Sequence, residues 1–373
     1  MLLAGFDGWL FGGALLLSLF GLVTMYTYQG DNFFFDRQLL WISLAICALL
    51  VALIPDYRFL RIGNTGFVAY VVTIGLLVAL LFLGDVTLGA QRRFDLGFFS
   101  LQPSDPAKLV LIIILAKYFS KRHTMINDIR HIIVSGLYTF ILFGLVFIQP
   151  DFGTAVILFL IWFGLVVVAG IPFRYILGVF LVGVATLAVL WQFAFADYQK
   201  VRILTFMNPL EDIQGAGWNA YQSQVAVGSG QLFGKGIGYG TQSKLLFLPE
   251  YQTDFIFAAF AEEWGYIGVL LLFAVFGLLV WRLLYLARSG ATNFERLFTV
   301  GVAILLISHF FVHIGMNIGV LPVTGLTMPF MSYGGSHLLT IFVALGMVMA
   351  MRRHSSLAGV QRRSDPHRDS LLA

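Results

Sequence analysis

Repeated runs of about twenty mostly apolar residues constrain this chain more than any other feature, because a helix needs that length to cross about 30 Å of hydrocarbon. Such runs, a few with isolated charges, occupy positions 8–28, 38–54, 64–83, 105–120, 131–149, 152–170, 174–195, 265–286, 295–319 and 333–351. They predict an all-α polytopic membrane protein of about ten transmembrane helices. The chain is 59% hydrophobic and 11% charged, whereas soluble globular proteins carry roughly 25% charged residues. A soluble globule is therefore excluded. The first run is too long for a signal-peptide core and lacks a basic leader, so it is expected to remain as the first span. The one cysteine, Cys47, lies in an apolar run, which leaves no intrachain disulfide and no thiolate cluster.

Orientation follows from Lys and Arg in the short loops. One set of loops holds Arg58, Arg61, Lys121, Arg122, Arg130, Arg174, Arg282, Arg288, Arg296 and the basic tail; the other short loops hold Arg37, Arg92 and Arg93. Both termini are thus expected in the cytoplasm. The net charge of +4 reads as a topology signal and not as a nucleic-acid surface. A single transmembrane domain covers 1–353, with a large extracytoplasmic loop, 196–253, between helices 7 and 8. A polar, basic tail, 354–373, is expected to be disordered.

The long loop carries Trp218, Tyr221, Phe233, Tyr239 and Phe247 among many glycines, a composition that suits a folded cap. Its GKGIGYG string is weak support for a phosphate loop, since no strand precedes it and the full pattern is absent. The stretch 255–261 is too short to span by itself. It either forms a re-entrant half-helix or extends the next span into one tilted helix of about thirty residues.

Charges beside spans gather at the outer ends: Arg92, Lys108, Asp151, Arg202, Glu211, Glu250 and Asp254. Asp254, wedged between a loop and the run Phe255, Ile256, Phe257, is the most telling, because a charge where hydrocarbon begins is costly. The plain alternative is that Thr253 or Asp254 caps a helix. His309 and His313 share a helical face, yet an i, i+4 pair without a third ligand favours packing or hydrogen bonding over zinc. The chemistry that fits is general base catalysis by Asp254 on a hydroxyl, with cations stabilising a departing phosphorylated group.

The strings GAQRRFDLGFFSLQPSDPAK, QPDFGTA, YQSQVAVGSGQLFGKG, GTQSKLLFLPEYQTDFIFAAFAEEWG and GVLPVTGLTMPFMSYGGS occur in one order along the chain. In this the sequence resembles the SEDS family (shape, elongation, division and sporulation), and its RodA-like branch in particular. The resemblance implies a peptidoglycan glycosyltransferase that polymerises lipid II outside the bacterial cytoplasmic membrane for cell elongation, by inverting transfer that makes β-1,4 bonds. It implies Asp254 as the catalytic residue and Lys108 as its charge partner. Arg92, Asp151, Arg202, Gln222, Ser223, Glu250 and Ser332 match motif positions around the cavity. It implies a class B penicillin-binding protein as partner, together with other elongation-complex membrane proteins and no nucleic acid. A divalent cation, Mg or Mn, at the pyrophosphate is left open, and no acidic cluster declares a metal site. The alternatives are a lipid II flippase or transporter and an FtsW-like septal polymerase.

Three positions depart from the family pattern: Gln231 where glycine follows GSG, His313 where asparagine is common, and His337 where a small residue follows SYGGS. His313 and His337 either form a coupled polar pair between the last two helices or are independent substitutions. Glu262 and Glu263 either buttress the loop or mark the membrane border.

Overall fold

The computed structural model describes residues 5–26, 33–87, 90–95, 97, 100–122, 128–193, 200, 204, 206, 207, 217–245 and 247–364. The first eight helices are α1 (Gly8–Tyr26), α2 (Phe33–Ala52), α3 (Arg58–Ile62), α4 (Thr65–Leu83), α5 (Ser104–Ser120), α6 (Arg130–Ile148), α7 (Phe152–Val168) and α8 (Phe173–Phe193). Then come α9 (Trp218–Ser229), α10 (Thr241–Lys244), α11 (Ile256–Arg288), α12 (Asn293–Asn317) and α13 (Gly335–Ser364). Seven of these, α1, α2, α4, α6, α11, α12 and α13, have the length and composition to cross a membrane, and α7 and residues 177–193 of α8 are shorter apolar helices. The chain is a multi-pass helical membrane protein.

Burial sorts the bundle into centre and periphery. Helices α5, α12 and α13 are buried on most faces, whereas α2, α4 and α6 bury one face and expose residues such as Leu40, Val72 and Leu137 on the other. An exposed apolar face is what lipid requires. Hydroxyls inside the spans satisfy themselves on their own helix: Ser18, Thr24, Thr73 and Thr139 each donate to the carbonyl one turn back.

Local chemistry sets the helix ends that matter. Asp151 caps α7 by accepting from the Thr154 amide at 3.2 Å. Thr292 caps α12 through the Glu295 amide at 3.3 Å, and the Glu295 carboxylate reaches back to the Ala291 amide. Helix α11 is one element of 33 residues, broken at Gly265 by a backbone of φ 65° and ψ −167°, which is glycine territory. Of the two expectations for 255–261, a long helix and a short re-entrant piece, the structure combines features of both. The short half before Gly265 is buried, and the half after it is the span.

Two features were not expected. Between α4 and α5 a small antiparallel sheet is formed by β1 (Asp85–Thr87), β2 (Ala90–Asp95) and β3 (Ser100–Leu101), in the order β1-β2-β3 with Asp85 opposite Arg93 and Phe94 opposite Leu101. Its strands are too short for a hydrophobic period to show in the sequence. The second feature is at the C-terminal end, where α13 continues to Ser364; the rest of the tail expected to be disordered, 365–373, lies outside the described residues. The stretch from Leu357 to Arg363 is mostly good helix formers, and Pro366 opposes helix at the residue before it.

Candidate active site

Asp254 sits at the end of a tight loop, partly exposed, immediately before the helix that begins at Ile256. The loop is wound around one carbonyl: Glu250 O accepts from the amides of Thr253, Asp254 and Phe255 at 3.1, 3.0 and 3.3 Å. That winding requires a left-handed backbone at Glu250, φ 53°, uncommon for a residue with a side chain. The Glu250 carboxylate turns back onto its own loop, accepting from Thr253 Oγ1 at 3.1 Å and Gln252 Nε2 at 3.4 Å.

The N-cap of α11 is Phe255, which carries no capping side chain. The first-turn amide of Ala258 is instead met by Asn317 Oδ1 at 3.2 Å, from the end of α12. Asn317 is fully buried. Its amide nitrogen donates to Asp254 O at 3.1 Å and His313 O at 2.8 Å, while Ser223 Oγ donates to Asn317 O at 2.9 Å. One residue, through its side chain and its carbonyl, therefore joins α9, α11, α12 and the Asp254 loop.

A strap, residues 318–334, lies against the other side of the loop. Ser332 Oγ donates to Thr253 O at 2.6 Å and accepts from the Met328 amide at 2.7 Å, and the Tyr333 amide donates to Gln252 O at 2.8 Å. Where the strap passes the carboxylate it uses Gly325, φ 71°. A Cβ there would stand 3.4 Å from Asp254 Oδ2.

Beneath this layer lies a buried polar cluster. Lys108 Nζ donates to Asp105 Oδ1 at 2.8 Å, one turn earlier on α5, and lies 3.3 Å from His309 Nε2. His337 Nδ1 is 3.4 Å from the same Asp105 oxygen, and the rings of His309 and His337 are 4.6 Å apart. His309 Nδ1 faces Thr327 O at 3.2 Å, and His313 Nδ1 faces Leu326 O at 2.7 Å. Of the expected pair, His337 lies against Asp105 and His309, and His313 Nδ1 faces the strap, while the two rings still feel one another electrostatically. The Nε2 atoms of His313 and His337 are buried without a hydrogen-bond partner among the described residues.

The remaining candidates fall into place around these. Asp151 accepts from Gln102 Nε2 at 3.2 Å in addition to capping α7. Gln222 and Ser223 are buried on α9. Arg92 lies on β2, with its side chain outside the described residues, as is the whole of Arg202. Glu262 settles as a buttress: fully buried, it takes Lys235 Nζ at 2.7 Å and the amides of Thr241 and Gln242 at 2.8 and 3.1 Å. The glycine-rich loop is therefore tied to α11. Among the described residues no group of three or more His, Cys, Asp or Glu converges on a metal position.

Two residues of this site, Asp105 and Asn317, have no part in the sequence reading, and His309 takes the hydrogen-bonding role expected of it. Asp105 could have been found, since it stands one helical turn from Lys108 and a buried ammonium needs a carboxylate. Nothing local marks Asn317, because its partners are 59 and 94 residues away.

The model of the FtsW/RodA/SpoVE family, described as "Cell cycle protein", matches residues 2–357. Peptidoglycan glycosyltransferase MrdB of Escherichia coli K12 is 39% identical over 289 residues, 77% of this chain and 78% of that protein. The rod shape determining protein RodA of Thermus thermophilus, in a crystal structure, superposes with a TM-score of 0.71 at 29% identity, covering 93% of this chain and 97% of that one. A chain from a structure described as "Structural coordination of polymerization and crosslinking by a peptidoglycan synthase complex" gives a TM-score of 0.81 at 30% identity, covering 94% and 98%. With a family model that spans nearly the whole length, and with fold and motifs in agreement, this chain belongs to the FtsW/RodA/SpoVE family, the SEDS proteins.

Proposed function

We propose that this chain polymerises lipid II at the outer face of the bacterial cytoplasmic membrane, with Asp254 as general base. It is a peptidoglycan glycosyltransferase, as its curated relatives are named. The observation that supports the base assignment is that Asp254 stands partly exposed immediately before α11, while Asn317 Oδ1 meets the first-turn amide of Ala258. In the transfer, the acceptor sugar hydroxyl oxygen forms a bond to the anomeric carbon of the donor. The bond from that carbon to the pyrophosphate oxygen breaks, with the electron pair leaving on the pyrophosphate. Asp254 takes the hydroxyl proton, and one displacement inverts the anomeric centre. A positioned base of this kind contributes about 10²–10⁴-fold.

Lys108 supports the reaction from below, since it is buried and bound to Asp105. Charge on the leaving group falls to the rim cations, Arg92 and Arg202 among them, or to a divalent cation carried by the pyrophosphate itself. Both termini face the cytoplasm, and the activity serves elongation together with a class B penicillin-binding protein. The structural relative from a synthase that couples polymerisation to crosslinking supports such a partnership.

The test is glycan polymerisation from purified lipid II by the wild-type chain and Asp254→Asn, each with its transpeptidase partner and with a chelator arm. Polymer from wild type alone supports the reading; polymer from both overturns it. Loss of polymer with chelator assigns the pyrophosphate to a metal ion. Lipid II translocation across vesicles without polymer would instead favour a transporter.

A further inference from the structure

Three histidines lie in the buried layer under the Asp254 loop, and the transfer described above uses none of them. His309 is the best connected. A carbonyl oxygen only accepts and an ammonium only donates. The ring nitrogen facing Thr327 O at 3.2 Å must therefore carry a proton, and the nitrogen 3.3 Å from Lys108 Nζ must offer a lone pair. The neutral imidazole protonated on Nδ1 satisfies both neighbours at once. A doubly protonated ring would set an N–H against the ammonium.

We propose that His309 is a positioning residue for the transfer: it joins the Lys108 ammonium to the carbonyl of Thr327 and so fixes the backbone on which the Asp254 carboxylate rests. The chain of contacts is short. Lys108 is held by Asp105 on one side and His309 on the other. His309 and His313 bind consecutive carbonyls of the strap, Thr327 and Leu326. The next residue back, Gly325, lies beside Asp254 Oδ2. Removing His309 takes the donor from the part-buried Thr327 O and leaves Lys108 held by Asp105 alone, and the strap shifts under the carboxylate. This inference rests on Asp254 being the base.

The substitutions His309→Gln and His309→Leu separate bracing from bulk. Glutamine offers an amide N–H to Thr327 and a carbonyl oxygen to Lys108; leucine offers neither. With purified lipid II and the transpeptidase partner, His309→Leu is expected to lower kcat about 10–100-fold with KM within about twofold, and His309→Gln to return kcat to within about threefold of wild type. Wild-type kcat in the leucine variant, or a glutamine variant no better than leucine, overturns the proposal. A second readout does not need the leucine variant to fold. In histidine-labelled full-length protein in nanodiscs, the ¹⁵N signals that His309→Gln removes should report the Nδ1–H tautomer, with the Nε2 signal moved by Lys108→Met. An Nε2–H tautomer overturns the proposal. The tautomer does not depend on the role of Asp254, so polymer made by Asp254→Asn alongside an Nδ1–H ring would remove the base assignment and leave the brace standing.

Discussion

The two ends of α11 each present an aspartate, and the molecule treats them in opposite ways. At the end near the termini, Asp7 is 2% exposed and fully engaged. It accepts from Arg282 Nε and Nη2 at 3.0 and 2.8 Å, from Arg352 Nη1 at 2.6 Å, and from the Leu10 amide at 3.2 Å. Those bonds tie α1, α11 and α13 together. At the other end, Asp254 is gripped through its main chain, by Glu250 O and by Asn317 Nδ2, and its carboxylate stands partly exposed beside a glycine. A carboxylate whose lone pairs are all taken is a staple. On the proposed reading of Asp254 as the base, the loop backbone sets where its carboxylate stands.

The sharpest way to break this contrast is to neutralise each aspartate in turn. Asp254→Asn should lower kcat about 10²–10⁴-fold, with the thermal unfolding midpoint essentially unchanged. Asp7→Asn should do the reverse, costing about 1–2 kcal/mol of stability by removing the carboxylate charge that the part-exposed Arg282 and the exposed Arg352 share, while the folded fraction turns over normally. Turnover lost at an unchanged midpoint in Asp7→Asn would erase the distinction.

Asn317→Leu tests whether main-chain grip is what positions Asp254. The exchange keeps the branched heavy-atom skeleton of asparagine but strips the Ala258 amide and the Asp254 carbonyl of their partners. Unsatisfied buried groups cost about 1–3 kcal/mol each, so a fall in both the unfolding midpoint and kcat, the latter about tenfold, is expected. A stable protein with wild-type kcat would show that the loop holds its shape without the clasp.

Acid sharpens the contrast from the staple's side. Burial pushes the Asp7 carboxyl up, but the hydrogen bond from Arg282 and the charges of Arg282 and Arg352 outweigh it and hold the group below the usual carboxylate range. A carboxyl lowered on folding stabilises fully above its unfolded value of about 3.9 and loses that contribution as pH falls toward the folded value. The unfolding midpoint should therefore be steeper below about pH 4 in wild type than in Asp7→Asn, where this proton is absent. Equal acid slopes would place the acid sensitivity elsewhere.

How much of this was legible in the sequence depends on the range of each interaction. The spans were readable because hydrocarbon imposes a length on every run, and Gly265 marks the start of the span after the loop both in the hydropathy and in the backbone. Asp254 and Lys108 stood out because charge is scarce in such a chain. What could not be read was pairing. Lys108 grips Asp105 on its own helix, and the ring in contact with His337 is that of His309. Asn317 looked like any residue at a helix end. Ser332 and Ser223, expected near substrate, spend their hydroxyls on Thr253 O and Asn317 O, contacts that only the folded bundle creates.

The smallest expected effect is at Gly325, and it bears most directly on positioning by backbone. Its φ of 71° costs a residue with a side chain about 1–2 kcal/mol. Space is not the obstacle, since a Cβ would meet Asp254 Oδ2 at 3.4 Å, an ordinary contact. Gly325→Ala should therefore lower stability by about 1 kcal/mol and, if the strap relaxes to relieve the strain, lower kcat about threefold through a small displacement of the carboxylate. Loss of stability with kcat intact would mean that the strap only packs against Asp254. Loss of kcat beyond what the stability change explains would mean that the strap sets where the proton is taken, which is the difference between this end of α11 and the stapled one.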